Sequence, residues 1–176
     1  MTMRPFAMGS MDGWTGKILH VDLTRRRIER DAPDPSFYMR YIGGKGMGGH
    51  YLRSCAALDW DHPGMVVTLF TGPLVGTTAP TSGRLHLVSK SPLTGLVGDA
   101  SMGGKLATRL KRAGWDGVVI TGCSDKPVGL EIEDDRIALK DAAHLWGKDT
   151  EAVHTALNPQ KAGLAAIGPA AENGVR

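Results

Sequence analysis

Glycine is the residue that most constrains how this chain can fold. Of its 176 residues, 24 are glycine, and they cluster at 43–49, 72–83, 95–104 and 114–122. Glycine lets a backbone turn tightly and lets it approach a ligand or another backbone closely. The clusters therefore predict tight, closely packed turns and not a low-complexity tract.

The segments between the glycine clusters predict more strands than helices. Two short helices are expected within 35–58, with Ser36 as the cap of the first. A third is expected over 101–113, ended by Gly114, and a fourth over 150–157, capped by Asp149. Strands are predicted over 18–31 as a hairpin, and over 65–70, 83–90, 117–122, 127–133, 136–140 and 164–167. This order favours an α+β fold with mostly antiparallel sheets and a few short helices.

A repeated motif predicts that the domain is internally duplicated. Gly13-Trp14-Thr15-Gly16 returns 101 positions later as Gly114-Trp115-Asp116-Gly117, and each copy precedes a hairpin, a helical segment and a strand that ends in Gly-Pro. We expect a leader or flexible N-terminus over 1–12 and one domain over 13–176, with a first repeat 13–113 and an incomplete second repeat 114–176. Two short matches in a glycine-rich chain could also arise by chance. An incomplete repeat would leave an open strand edge that needs a partner or a second copy.

Composition and motif spacing exclude several classes of function. A net charge of +3 with scattered basic residues is too weak for nucleic-acid binding. No apolar run approaches the ~20 residues of a membrane span, and the first ten residues lack a signal peptide, so a cytoplasmic location is expected. Cys55 and Cys123 stand too far apart to suggest a metal knuckle, and Ser82 lacks the G-x-S-x-G pattern of a hydrolase nucleophile.

The densest candidate site lies in residues 71–104. A loop of small and hydroxyl residues leads to Arg84, whose planar guanidinium can bind a phosphate in a bidentate manner. The tetrapeptide 101–104, Ser-Met-Gly-Gly, is predicted to open a helix, where free backbone N–H groups bind anions. Together they suggest a phosphorylated ligand. The alternative is that the glycines only make turns and that Arg84 pairs with a carboxylate.

The chain resembles the N-terminal domain of the aldehyde ferredoxin oxidoreductases, from 13 to 176. The matching segments, in order, are Tyr-Ile-Gly-Gly-Lys-Gly at 41–46, Thr-Gly-Pro-Leu at 71–74, Ala-Pro-Thr-Ser-Gly-Arg at 79–84, Lys-Ser-Pro-Leu-Thr-Gly at 90–95, Leu-Lys-Arg-Ala-Gly-Trp-Asp-Gly at 110–117 and Ile-Gly-Pro-Ala at 167–170.

This resemblance implies a tungsten or molybdenum bis-pterin cofactor that lies on the sheets of the domain. It implies that Arg84 and the backbone of Ser101, Met102, Gly103 and Gly104 contact that cofactor. The Ser101 carbonyl is expected to help hold a magnesium ion between the two pterin phosphates. Ser101 and Met102 stand where the family usually has Asn-Ser, so a side-chain contact from the asparagine is in doubt.

The resemblance further implies the chemistry of the complete enzyme. An aldehyde becomes a carboxylic acid, and a [4Fe-4S] cluster passes the electrons to ferredoxin. Two cysteines cannot hold that cluster in this chain. The chain is therefore expected to be a cofactor-binding domain, inactive alone, that works with the remaining domains or a second subunit. The alternatives are a stand-alone interaction or carrier module and a truncated remnant without activity.

Overall fold

The computed structural model describes residues 12–160 and 162–175, so the expected leader, Asp12 apart, lies outside the described residues. Six strands form one sheet in the order β2-β1-β6-β3-β4-β5, and β7 and β8 form a two-stranded sheet. The strands are β1 Ile18–Asp22, β2 Arg27–Asp31, β3 Val67–Phe70, β4 Leu85–Lys90, β5 Val97–Met102, β6 Gly117–Thr121, β7 Val128–Glu133 and β8 Arg136–Asp141. The helices are α1 Pro35–Tyr41, α2 Gly44–Arg53, α3 Leu106–Arg112, α4 Thr150–Leu157 and α5 Pro169–Glu172.

The pairing of the strands confirms the predicted α+β class. Neighbouring strands run antiparallel, except that β1 and β6 run parallel. Both of these strands follow a Gly-Trp-x-Gly turn, so the two copies of the motif lie side by side. The hairpin β1–β2 belongs to the main sheet, whereas β7–β8 stands apart from it. The division into repeats at 113 and 114 stays a prediction.

A separate hydrophobic core lies on each face of the main sheet, because successive side chains of a strand point to opposite faces. The core under α1 and α2 contains Ile18, Tyr38, Met47, Phe70, Val88 and Val119. The core on the other face contains Leu19, Val21, Leu85, Leu110, Trp115 and Val118, with apolar side chains of β7 and β8 packed against it.

Helix α2 lies close to the sheet because two of its four buried positions, Gly44 and Gly48, are glycines. A Cβ at Gly48 would stand 2.7 Å from Cγ2 of Val88 and 2.8 Å from Oγ1 of Thr68, and a Cβ at Gly44 would stand 2.8 Å from Cδ2 of His86. These distances leave no room for a methyl group. Gly44 and Gly48 of the glycine cluster at 43–49 therefore serve the packing of a helix on a sheet.

Several predicted boundaries are wrong, and each has a local cause. Asp34, not Ser36, caps α1, since its carboxylate accepts a hydrogen bond from the Ser36 N–H. The predicted strand 164–167 pairs with no strand of the described residues. By contrast, Asp149 caps α4 as predicted, with its side chain accepting from the Ala152 N–H at 2.7 Å. Within the described residues, no helix has the length and apolar character needed to cross a membrane.

Candidate functional site

The glycine-rich turns meet at one end of the main sheet. Strands β1, β4 and β6 begin there, and β3 and β5 end there, as the pairs Ile18 with Gly117, Phe70 with Gly117 and Leu85 with Met102 show. We call this region, formed by residues 13–16, 43–44, 71–73, 83–84, 103–104 and 114–116, the glycine-rich end.

The carboxylate of Asp116 connects the two Gly-Trp-x-Gly turns. It accepts hydrogen bonds from the Thr15 N–H at 2.9 Å, the Thr15 hydroxyl at 3.0 Å and the Gly16 N–H at 2.8 Å. The ammonium of Lys111 on α3 forms an ion pair with the same carboxylate, and both side chains are buried. A buried charge needs such a set of partners to offset the loss of water. Asp116 therefore fixes the position of both turns.

Thr71 extends this network to the start of α2. Its N–H and its hydroxyl both donate to the Asp116 carbonyl at 2.9 Å, and its own carbonyl accepts from the Gly44 N–H at 2.9 Å. A Cβ at Gly43 would stand 2.5 Å from that Thr71 carbonyl oxygen, so only glycine fits there. Sequence reasoning missed Thr71, Lys111 and Asp116 as functional positions. The sequence offered one signal: Asp116 occupies the position in the second Gly-Trp-x-Gly motif that Thr15 occupies in the first.

Arg84 and the tetrapeptide 101–104 lie together at the glycine-rich end. Arg84 directly precedes β4 and is exposed. A Cβ at Gly103 would stand 3.9 Å from its Nη1 atom. Within residues 12–160 and 162–175, the Arg84 guanidinium has no ion pair and no hydrogen bond, so the alternative that it pairs with a carboxylate is not observed.

The tetrapeptide differs from its prediction in one respect. Ser101 and Met102 are the last residues of β5, Gly103 and Gly104 form a turn, and α3 starts only at Leu106. Strand pairing of β5 with β4 outweighs the local helical pattern at 101–104, so these residues offer exposed turn backbone and not the first N–H groups of a helix. The Met102 side chain packs against the core on the α3 face, which leaves only its backbone for a ligand.

Two further side chains adjoin this group. His86 is the cross-strand partner of Ser101, and its Nδ1 atom is buried without a hydrogen-bond partner in the described chain. Lys45, at the start of α2, forms a 2.6 Å ion pair with Asp99 of β5.

The buried hydroxyl of Tyr38 also lacks a hydrogen-bond partner in the described chain. Burial, followed by the nearby Asp116 charge, raises the pKa of Tyr38 above its usual range.

This arrangement fits an anionic group better than a metal held by side chains. An exposed guanidinium without a protein partner, next to glycine backbone that leaves open space, matches the requirements of a phosphate. No Cβ contact within 4 Å would arise at Gly104, whose φ is +90°. In the part of the chain that the structure describes, no three His, Cys, Asp or Glu side chains form a metal site. A backbone carbonyl such as that of Ser101 is the ligand type that magnesium accepts, together with phosphate oxygens.

The chain is similar to known proteins over most of its length. The family model described as the N-terminal domain of aldehyde ferredoxin oxidoreductase matches residues 18–176. The tungsten-containing aldehyde ferredoxin oxidoreductase of Pyrococcus abyssi is 40% identical over 172 residues, which are 94% of this chain and 28% of that protein. The corresponding protein of Thermococcus kodakarensis is 37% identical with the same coverage.

Two other kinds of oxidoreductase also contain a region similar to this chain. The WOR-like subunit of an aliphatic sulfonate oxidoreductase from Pyrococcus furiosus is 31% identical over 142 residues, 78% of this chain and 22% of that protein. Among solved structures, the active site complex BamBC of benzoyl coenzyme A reductase, with bound 1,5-dienoyl-CoA, has a TM-score of 0.86 at 36% identity. That match covers 92% of this chain and 26% of the other. The chain thus spans about a quarter of the length of these proteins.

Proposed function

Because the chain belongs to the aldehyde ferredoxin oxidoreductase family and matches its N-terminal domain, we propose that it provides part of the binding surface for a tungsten or molybdenum bis-pterin cofactor. The observation that carries the proposal is the unpaired Arg84 guanidinium beside the open backbone of Gly103 and Gly104. In this view the complete enzyme oxidises an aldehyde to a carboxylic acid, and this chain is inactive alone.

The residues of this chain bind and orient the cofactor. The planar guanidinium of Arg84 would bind a pterin phosphate and orient it. The backbone of residues 101–104 would contact the cofactor, and at Gly103 and Gly104 no side chain would keep it away. The Ser101 carbonyl would be one ligand of a bound magnesium ion. The network of Asp116, Thr71 and Lys111 holds the neighbouring turns at 13–16, 43–44 and 114–116 in place before binding, which lowers the ordering cost on association.

The bound metal and pterins supply the redox chemistry of aldehyde oxidation, as is usual for cofactor enzymes. The described residues hold no group of side chains able to bind a metal, and the chain has two cysteines in total. We therefore assign the [4Fe-4S] cluster and the contact with ferredoxin to the remaining domains of the enzyme or to a second subunit.

Replacement of Arg84 tests this function. We expect Arg84→Ala, co-expressed with the remaining part of the enzyme, to retain about tenfold less tungsten or molybdenum and pterin, since a charge-assisted hydrogen bond contributes about 1.5–3 kcal/mol. The metal and pterin content of Arg84→Lys should fall between that of Arg84→Ala and that of the unmodified protein, because an ammonium keeps the charge but not the planar shape of the guanidinium. Metal is measured by mass spectrometry and pterin by fluorescence after oxidation.

Arg53→Ala is the matched control. Arg53 is also exposed, but it ends α2, at the opposite end of that helix from Gly44, and its replacement should leave cofactor content unchanged. Equal metal and pterin content in the Arg84→Ala and unmodified proteins would refute the role of Arg84.

A further inference from the structure

The two outer edges of the main sheet differ in chemistry. The edge strand β2 reads Arg-Ile-Glu-Arg-Asp, and its charges form ion pairs between Arg27 and Glu29 and between Arg30 and Asp135. A charged edge discourages another strand from pairing with it. Strand β2 is therefore protected against association.

The opposite edge strand, β5, carries one charged residue where β2 carries four. Its sequence, Val-Gly-Asp-Ala-Ser-Met, contains no lysine, arginine or proline. Its register with β4 continues without a bulge from Val97 to Met102. Its one charge, on Asp99, is paired with Lys45 of the same chain. No other strand of the described chain pairs with its outer edge, so its outward N–H and C=O groups remain available to a partner.

The turn that leads into β5 adds exposed apolar surface. Leu93, Leu96 and Val97 have 74%, 71% and 67% of their surface exposed, three of the four highest values among the large apolar side chains of the described residues. The three lie within five residues of one another, whereas single exposed apolar residues are common and need no explanation. Exposed apolar side chains grouped in this way are typical of an interaction surface.

We propose that the outer edge of β5, with Leu93, Leu96 and Val97, is the surface on which the rest of the enzyme docks by adding a β-strand. This inference rests on the proposed function, in which the chain is one domain of a larger enzyme. The Pyrococcus abyssi relative has more than twice as much polypeptide outside the matched region as within it, since the chain covers 28% of it. That remainder is the occupant to which the proposal commits.

The position of β5 supports this choice of partner. The strand ends at Ser101 and Met102, beside Arg84, so a strand paired along it arrives at the glycine-rich end. The proposed cofactor surface needs further residues there. Backbone hydrogen bonds along β5 would give the affinity, and the apolar side chains of the turn would exclude water from one side of the contact.

Co-expression tests the surface. This chain would be expressed with a tagged segment comprising the part of the Pyrococcus abyssi relative that lies beyond the matched region. The relative's own N-terminal region, paired with the same segment, is the positive control. We expect the unmodified chain to co-purify with the segment and the amides of Val97–Met102 to exchange more slowly with deuterium. The double variant Leu96→Lys/Val97→Lys should be captured at least about tenfold less, as for a central interface residue.

Met39→Lys is the matched control, because Met39 is 64% exposed but lies on α1. It should be captured like the unmodified chain, and circular dichroism verifies that all variants fold. A separate Leu93→Lys variant examines the turn alone and should also reduce capture.

Three results would overturn the proposal: equal capture of the double variant and the unmodified chain, failure of the unmodified chain where the positive control succeeds, or a homodimer in light scattering that the double variant dissociates. The metal and pterin content of the captured complex separates this proposal from the previous one. A complex that forms through β5 but carries neither tungsten, molybdenum nor pterin would refute the cofactor function and leave the docking surface standing.

Discussion

At the scale of single residues, the pair formed by Lys111 and Asp116 is the most consequential feature. Their side chains are 8% and 1% exposed, and Asp116 holds both Gly-Trp-x-Gly turns. Removing one partner of a buried ion pair leaves an uncompensated charge, which costs about 3–5 kcal/mol. We therefore expect Asp116→Asn to lower the free energy of unfolding by that amount, as measured by urea denaturation.

An exposed ion pair provides the control. Lys140 and Glu131 lie 3.2 Å apart, but their side chains are 62% and 57% exposed. Glu131→Gln should therefore cost less than about 1 kcal/mol. The double variant Lys111→Met/Asp116→Asn should be less destabilised than the sum of its single variants, because neither charge is then left alone. Additive effects would mean that the two side chains act independently.

The sequence could identify some of these residues but not their partners. Arg84 and residues 101–104 were predicted to form one site, and the structure brings them together, while their contact with a cofactor stays a prediction. The role of Asp116 was not predicted, because its partner Thr15 lies 101 residues away and only the fold brings them into contact.

At the scale of whole elements, the glycines of α2 decide how close the helix lies to the sheet. Gly48→Ala would place a methyl group 2.7 Å from Cγ2 of Val88. We expect it to destabilise the protein by about 1–3 kcal/mol, as overpacking does, although alanine is the better helix former. Thermal denaturation followed by circular dichroism measures the effect.

The neighbouring Gly49 provides the control for this steric effect. A Cβ at Gly49 would meet nothing within 4 Å, so Gly49→Ala should stabilise the protein by up to about 1 kcal/mol through helix propensity alone. If both substitutions stabilised the protein, the close approach of α2 to β3 and β4 would not be required by packing.

Helices and strands were predicted well where residues close in sequence determine them, and poorly where pairing with a distant strand determines them. The Asp149 cap and the hairpin 18–31 follow from residues close in sequence, and both are confirmed. The predicted helix 101–113 was wrong in its first part because β5 pairs with β4. The predicted strand 164–167 was wrong because none of the described strands pairs with it.

At the scale of the whole molecule, the strand order explains why one end of the sheet is suited to a ligand. Parallel β1 and β6 place both Gly-Trp-x-Gly turns at the same end, and the antiparallel strands β3, β4 and β5 bring their glycine turns to it as well. No local pattern specifies that order. The repeat suggested that the two motifs are equivalent, but it did not predict that they would be neighbours.

The stability of the whole molecule should fall at alkaline pH because of one buried phenol, Tyr38, and one partly buried phenol, Tyr51. Burial raises the pKa of Tyr38 and, together with Asp31, that of Tyr51 above the usual range. In the unfolded chain both would ionise near pH 10. The folded state therefore keeps its protons where the unfolded state loses them. This contribution is fully present below pH 10 and is lost as the pH rises above it.

Tyr38→Phe tests this dependence at a residue whose side chain is fully buried. Its hydroxyl lacks a partner in the described chain, so we expect almost no loss of stability at pH 7, where an unpaired buried polar group contributes nothing favourable. Above pH 10 the unmodified protein should lose about 1.4 kcal/mol per pH unit more than the variant. Urea denaturation at pH 7, 10 and 11 measures both effects. An identical alkaline decline in the two proteins would mean that Tyr38 ionises in the folded state as it does in the unfolded chain, and hence that its hydroxyl reaches water.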